Sequence, residues 1–284
     1  MNKKRFMAFV ACAFALVAAF ALVGCGGTSA QTAGSAAGSA SAGSDDSADI
    51  KTLTVGFDQS YPPYGFVGDD GEFTGFDIEL ATEVAKRCGW ELKLEPIDWD
   101  AKDSLLNSGA INCIWNGFTM EGREDDYTFS DPYMLNGQVI VVKKDSGIKS
   151  LDDLAGKTVA VQSGSTGPKI VADVAPDATL QEFKTDEEAR KALEQGRVDA
   201  YVIDTTMQMG TMVRNPNKYR LAGDPFGPED KYGIGLPKDS DGVQFVNDFL
   251  QKIEDDGTWA NLWKICIGDR ADIADAPNPP ALEA

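Results

Sequence analysis

Between residue 50 and about residue 270, short apolar runs alternate with stretches whose apolar positions recur every three or four residues. The runs at 52–56, 91–95, 111–116, 138–143, 158–162, 180–183, 199–203 and 232–236 have the length and boundaries of strands. Residues 76–88 read as a helix, because Phe76, Leu80, Val84 and Cys88 at four-residue spacing share one face, and Gly89 ends it. A second helix starts at Thr185, where Thr185 and Glu188 form a T-x-x-E capping pattern, and stops at Gly196. Strands alternating with helices predict parallel sheets joined by crossover helices, an α/β architecture.

Two stretches indicate that the chain changes lobe. Residues 139–142 run into Lys143, Lys144, Asp145, Ser146 and Gly147, and residues 231–237 carry a strand out of the middle segment and back. An inserted lobe joins its host by two crossings, which places one lobe at 50–142 plus 234–270 and the other at 143–233. Ligands in open α/β sheets sit beyond the carboxyl ends of the strands, so two such sheets face each other across a cleft.

The segment before this body has a different character. Lys3, Lys4 and Arg5 precede an apolar run over 6–23, the pattern of an export signal and short for a membrane span. The run ends in Leu22, Val23, Gly24 and Cys25, which resembles a bacterial lipobox. That resemblance implies cleavage before Cys25 and a diacylglycerol on its thiol; an ordinary signal peptide with an incidental cysteine is the other reading. Residues 26–49 are almost entirely Gly, Ser and Ala, closed by Asp45, Asp46 and Asp49. They lack the apolar area to offset ordering entropy, and as a coil they reach roughly 27 Å. Residues 271–284 are expected to form a flexible tail.

Charge and composition narrow the chemistry. The net charge of −19 leaves no basic stripe to meet phosphates, so nucleic acid is not an expected partner. The chain contains no histidine, which removes Ser-His-Asp and Cys-His machinery and histidine-ligated metals. Beyond Cys12 and Cys25, the cysteines are Cys88, Cys113 and Cys266, with no C-x-x-C pair. They are expected in the core, with at most one disulfide among them. No cofactor and no metal are expected.

The most specific local pattern is Trp115, Asn116, Gly117, Phe118, Thr119, Met120, Glu121, Gly122, Arg123, followed by Tyr127, Thr128, Phe129, Ser130, Asp131, Pro132, Tyr133. It resembles the solute-binding proteins of polar amino-acid importers driven by ATP-binding cassettes (ABC importers). G-F-D-I-E-L at 75–80, S-L-D-D-L-A-G-K at 150–157 and L-E-Q-G-R-V-D-A at 193–200 match family segments in order, over nearly all of 50–270. The resemblance implies a two-lobed, type II periplasmic-binding-protein-like fold with two hinge crossings. It also implies a monomer, lipid-anchored at Cys25, that delivers a free, polar amino acid to membrane permease subunits.

Burying a zwitterion demands a multi-donor cation for its carboxylate and acceptors for its ammonium. Arg123 supplies a planar fork for the carboxylate. Thr119 would add donors through its hydroxyl and backbone N–H, and the Gly117 carbonyl could accept from the ammonium. An ion pair of Arg123 with Glu124, Asp125 or Asp126 is the plainer alternative, and the spacing from Thr119 to Arg123 is one residue shorter than is usual in the family. Residues 163–168, a small-residue loop ending in Pro168, open a helix whose start favours an anion. By resemblance, Ser165 and Thr166 clamp the carboxylate from the opposite side to Arg123, and Asp204 holds the ammonium. A helix cap would look the same at each of these positions. By resemblance too, Asp58, Tyr61 and Trp99 line the side-chain pocket, where Asp58 would favour a basic or amide side chain, or a cystine-like second ammonium. A dehydratase on the same scaffold, with Asp58 and Glu121 as candidate acids, and a sensor or adhesin are the alternatives to import.

Overall fold

The computed structural model describes residues 51–207 and 217–268, except for the side chain of residue 229. The export-like segment, Cys25, the Gly/Ser/Ala stretch and the tail after residue 270 lie outside the described residues.

The chain begins with β1 (Thr52–Phe57) and a small antiparallel sheet of β2 (Ser60–Tyr61), β3 (Gly65–Val67) and β4 (Phe73–Thr74). Helix α1 (Phe76–Cys88), β5 (Glu91–Pro96), α2 (Lys102–Asn107), β6 (Cys113–Ile114) and β7 (Tyr127–Phe129) follow. The long strand β8 (Met134–Lys143) enters a second sheet that also contains β9 (Thr158–Gln162). Next come α3 (Gly167–Val174), β10 (Thr179–Phe183), α4 (Asp186–Glu194), β11 (Ala200–Asp204), β12 (Tyr219–Leu221) and β13 (Phe226–Tyr232). Strand β14 (Gly235–Pro237) returns to the first sheet, and α5 (Val243–Asp255) and α6 (Thr258–Trp263) follow it. On α6, Trp259 and Trp263 stand edge-on to Phe76 of α1 at 5.5 and 5.7 Å.

The first sheet has the order β5-β1-β6-β14-β7, and the second β10-β9-β11-β8-β12 with β13 also paired to β8. Pairing is parallel where β1 meets β5 and β6, and where β9 meets β10 and β11. It is antiparallel wherever β14, β8, β12 or β13 takes part. The sheets are therefore mixed rather than purely parallel as expected. The strands carrying the chain out and back run past each other in opposite directions, which makes their pairing antiparallel.

Strand β8 shows why the sequence misplaces the lobe boundary. Its apolar stretch Val139, Ile140, Val141, Val142 is buried on both faces, with Val139 and Val141 in one core cluster and Ile140 and Val142 in another. A strand covered on both faces reads as an unbroken apolar run and does not announce its sheet. Its partners are β11, β12 and β13, so 134–142 belongs to the second sheet, not the first. The first crossing falls at residues 130–134, beside the second at 232–235. The Ser130 N–H donates to the Ile234 carbonyl (3.0 Å), the Ile234 N–H to Ser130 Oγ (2.9 Å), and the Tyr133 N–H to the Tyr232 carbonyl (2.9 Å). The two crossings thus form one hydrogen-bonded ribbon.

The two predicted helices follow their sequence cues. Helix α1 buries Phe76, Leu80 and Val84 and ends at Gly89, whose φ of 66° is left-handed and favours glycine. Helix α4 starts after Thr185, whose hydroxyl accepts from the Glu188 N–H at 3.2 Å.

Candidate functional site

Strand ends of the two sheets converge on one cavity. Its first wall is Asp58, just past β1, with Tyr61, Trp99, Asn116, Gly117, Thr119 and Arg123. Its second is Gln138, Gln162, Ser165, Thr166, Asp186, Val202, Ile203 and Asp204. All nine residues proposed from sequence lie on these walls. Gln138, Gln162, Asp186 and Asn116 line them as well and were not singled out in advance. Asn116 and Gln162 close predicted strands, so the rule that ligands sit beyond strand ends was the one cue that pointed to them, and it did not cover Asp186, which follows a predicted helix cap.

Arg123 donates through Nη1 to the Thr119 carbonyl (3.0 Å) and through Nη2 across the cleft to the Gly164 carbonyl (3.1 Å). Its guanidinium lies 4.6 Å over the Phe118 ring. It therefore faces the cleft and bonds carbonyls rather than the neighbouring Glu124, Asp125 or Asp126. Burial makes its charged form less favourable than usual, offset by the nearby Tyr127 hydroxyl and by Asp103 and Asp230. Lys102, also drawn down by burial, donates to the same Gly164 carbonyl at 3.2 Å.

Asp204 closes β11 inside the second wall. One carboxylate oxygen accepts from the Tyr61 hydroxyl across the cleft, and the other from Asn136 Nδ2 (2.9 Å) and Gln138 Nε2. Burial pushes its pKa up to about 7. The Tyr232 hydroxyl opposes that rise from beside the carboxylate, although it completes no hydrogen bond of its own.

Gly117 sits at a φ of 53°, and a Cβ there would lie 3.0 Å from Tyr61 Cε1 and 3.1 Å from Tyr232 Cε2, so glycine is required on both counts. Its N–H donates at 2.6 Å to Asp77, the buried acid of the G-F-D-I-E-L segment, which also accepts from the Tyr133 hydroxyl at 2.9 Å. Burial raises Asp77 to about 7. Ser165 Oγ donates to the Gln162 carbonyl (2.7 Å) and accepts from the Gly167 N–H (3.2 Å), fixing the loop before α3. Glu121 is absent from the cavity wall and instead accepts from the Lys231 N–H at 2.8 Å.

Further bonds bridge the two lobes: Gln162 to Asp58 (2.8 Å), Ser163 to Asp100 (2.9 Å), Tyr64 to Thr206 (2.6 Å) and Lys184 to Asp98 (3.0 Å). The free space within the cavity is about 30 Å³. At ~10–15 Å³ per water it holds about two waters, so a larger ligand has to part some of these bridges. Cys88 and Cys113 are free thiols, and the described residues contain no metal-ligand cluster and no helix long and apolar enough to cross a membrane.

Residues 53–268 match the family described as bacterial extracellular solute-binding proteins, family 3. The L-cystine-binding protein TcyJ of Escherichia coli strain K12 is 33% identical over 211 residues, covering 73% of this chain and 79% of that protein. A glutamine-binding protein of Geobacillus stearothermophilus is 36% identical over 238 residues, covering 80% and 90%. Among solved structures, an ancestral arginine-binding protein bound to arginine superposes with a TM-score of 0.72 at 38% identity, covering 76% of this chain and 98% of that one.

Proposed function

The chain belongs to the bacterial extracellular solute-binding proteins, family 3, and from that membership we propose that its cavity captures a free, polar amino acid outside the cytoplasm for delivery to an ABC permease. The observation that carries the reading is the placement of Arg123 on one wall and Asp204 on the other of the same interlobe cavity. An α-carboxylate takes over the guanidinium donors now spent on the Thr119 and Gly164 carbonyls, while Thr119, Ser165 and Thr166 surround it. The α-ammonium takes the Asp204 carboxylate, with the Gly117 carbonyl beside it. A ligand stabilises closure only insofar as it touches both walls, and this arrangement makes it do so. Tyr61 and Trp99 flank the ligand's side chain. Cys25 carries the lipid that keeps a monomeric receptor at the membrane surface, and the chain binds its ligand without transforming it.

The deciding experiment is a thermal-shift screen of purified protein against the twenty amino acids plus cystine and ornithine, followed by calorimetry on the hits. At least one saturable hit is expected, and Arg123→Ala should weaken it about a hundredfold or more, since breaking one side of a buried ion pair costs about 3–5 kcal/mol. No saturable hit, or unchanged affinity in the variant, overturns the proposal.

A further inference from the structure

The cavity's charges do not balance around a simple zwitterion. Asp58, Asp186 and Asp204 line it, against one lining cation, Arg123. In the reading above, Arg123 takes the α-carboxylate and Asp204 the α-ammonium. Asp58 and Asp186 then remain, 4% and 6% exposed, and among the described residues neither has an ion-pair partner. Basic side chains close to Asp186 in sequence are committed elsewhere, Lys184 to Asp98 at 3.0 Å and Arg190 to Glu187 and Glu194 at 2.6 and 2.8 Å. Asp58 is held by the Ser60 N–H and Gln162 Nε2, both at 2.8 Å, and Asp186 by the Tyr201 hydroxyl at 2.6 Å. These are neutral donors, which orient the carboxylates without cancelling their charge.

An independent observation points the same way. Asn116 also lines the cavity, is 2% exposed, and its Oδ1 has no hydrogen-bond partner. A Cβ built on Gly65 would sit 2.8 Å from that oxygen and 3.3 Å from the Asp58 carbonyl, so the orphaned acceptor lies beside the Asp58 turn. Positive charge, by contrast, gathers at Gly164, to whose carbonyl both Arg123 of the cavity wall and Lys102 donate. One end is therefore rich in donors and the other in acceptors.

We propose that Asp186, together with Asp58 and Asn116 Oδ1, forms a subsite for a second positive charge, so that the ligand is an amino acid whose side chain ends in an ammonium or guanidinium group. The inference rests on the amino-acid-binding reading above. Both cationic groups carry donors and no acceptor, which matches a subsite of acceptors, whereas a side-chain carboxylate meets only repulsion there. Burial and the charge of Asp58 already push Asp186 up to about 7, a strain that a ligand cation relieves. Asp186 is the specificity-determining member, because it opens α4 on the wall opposite Asp58 and reaches the ligand only when both walls meet it.

Calorimetry with arginine, ornithine, glutamine and glutamate tests this in wild type, Asp186→Asn and Asp58→Asn, each first checked for a cooperative melt. Arginine or ornithine should bind at least about tenfold more tightly than glutamine, and each variant should shrink that ratio by about tenfold or more. The second variant keeps the test open if the first fails to fold. Glutamine or glutamate binding as tightly as the cationic probes, or a ratio unchanged in both variants, overturns the subsite while leaving amino-acid capture standing. Absence of binding by every amino acid in the wider screen sinks the capture reading itself.

Discussion

The two walls of the cleft are built by different means. Several polar groups of the first wall have a partner in their own lobe: the Gly117 N–H in Asp77, Asp58 in the Ser60 N–H, and Arg123 in the Thr119 carbonyl. Its aromatic rings are packed too, with Tyr61 stacked on Tyr64 at 5.7 Å and Trp99 edge-on to Phe118 at 5.6 Å. The second wall has no aromatic ring and, apart from Val202 and Ile203, is amides, hydroxyls and carboxylates; Asp204 and Gln162 complete their bonding from across the cleft, to Tyr61 and Asp58. A wall fixed by its own lobe presents the same shape with the cleft open or closed, and can receive a ligand first. A wall that finishes its hydrogen bonds from across the cleft contributes most on closure, where a well-matched ligand replaces those bridges and a poorly matched one leaves buried groups unpaired.

The largest test of this difference is Asp204→Asn. An amide keeps the shape and one acceptor oxygen for Asn136 and Gln138, but not the charge opposite the ligand's ammonium, so calorimetry should show about a hundredfold loss of affinity or more. A loss under threefold would mean that the second wall contributes shape only.

A second test uses pH. Asp77 on the first lobe and Asp186 and Asp204 on the second wall are each raised from 3.8 to about 7 by burial. Folding therefore retains protons that the unfolded chain releases above pH ~4, and each group contributes stability that is present below that value and is lost as pH rises towards 7, by at most roughly 1.4 kcal/mol per pH unit. Ligand-free protein should melt at a higher temperature near pH 5 than near pH 7.5, and Asp77→Asn should flatten part of that slope. Saturating ligand should flatten it further, because an ammonium against Asp204 holds that carboxylate ionised. A melting temperature that rises from pH 5 to 7.5 without ligand contradicts the assignment.

The smallest effect is expected at the rim. Lys184 and Asp98 pair across the cleft at 3.0 Å, but their side chains are 69% and 47% exposed. Exposed pairs contribute ~0–1 kcal/mol, so Lys184→Met should change affinity less than about fivefold at physiological salt. A larger loss would mean that the rim helps to hold the cleft shut.

Which features could be read in advance follows the range of the interactions that make them. Helix α1 and the start of α4 are set by local spacing and capping, so Phe76, Gly89 and Thr185 were readable one by one. The first crossing was placed after residue 142 instead of near 132, because the apolar run of β8 looks the same whichever sheet covers it. The antiparallel pairing of β8, β13 and β14 had no local cue either, since it arises from a chain that passes between lobes twice. Asp77 was visible as part of a motif, but not as the group that grips Gly117 and Tyr133. That link joins residues 40 and 56 positions apart.

The sequence by itself determined the α/β class, two lobes, the family, and a set of strand-end residues, because periodicity, capping and motif order are carried by neighbours along the chain. Only the tertiary structure decided where the lobes join, that Gln138, Gln162, Asp186 and Asn116 stand on the same walls, and which acids lack a cation. Charge balance inside a cavity depends on what distant segments bring within a few ångströms, and on the water that packing excludes from between them.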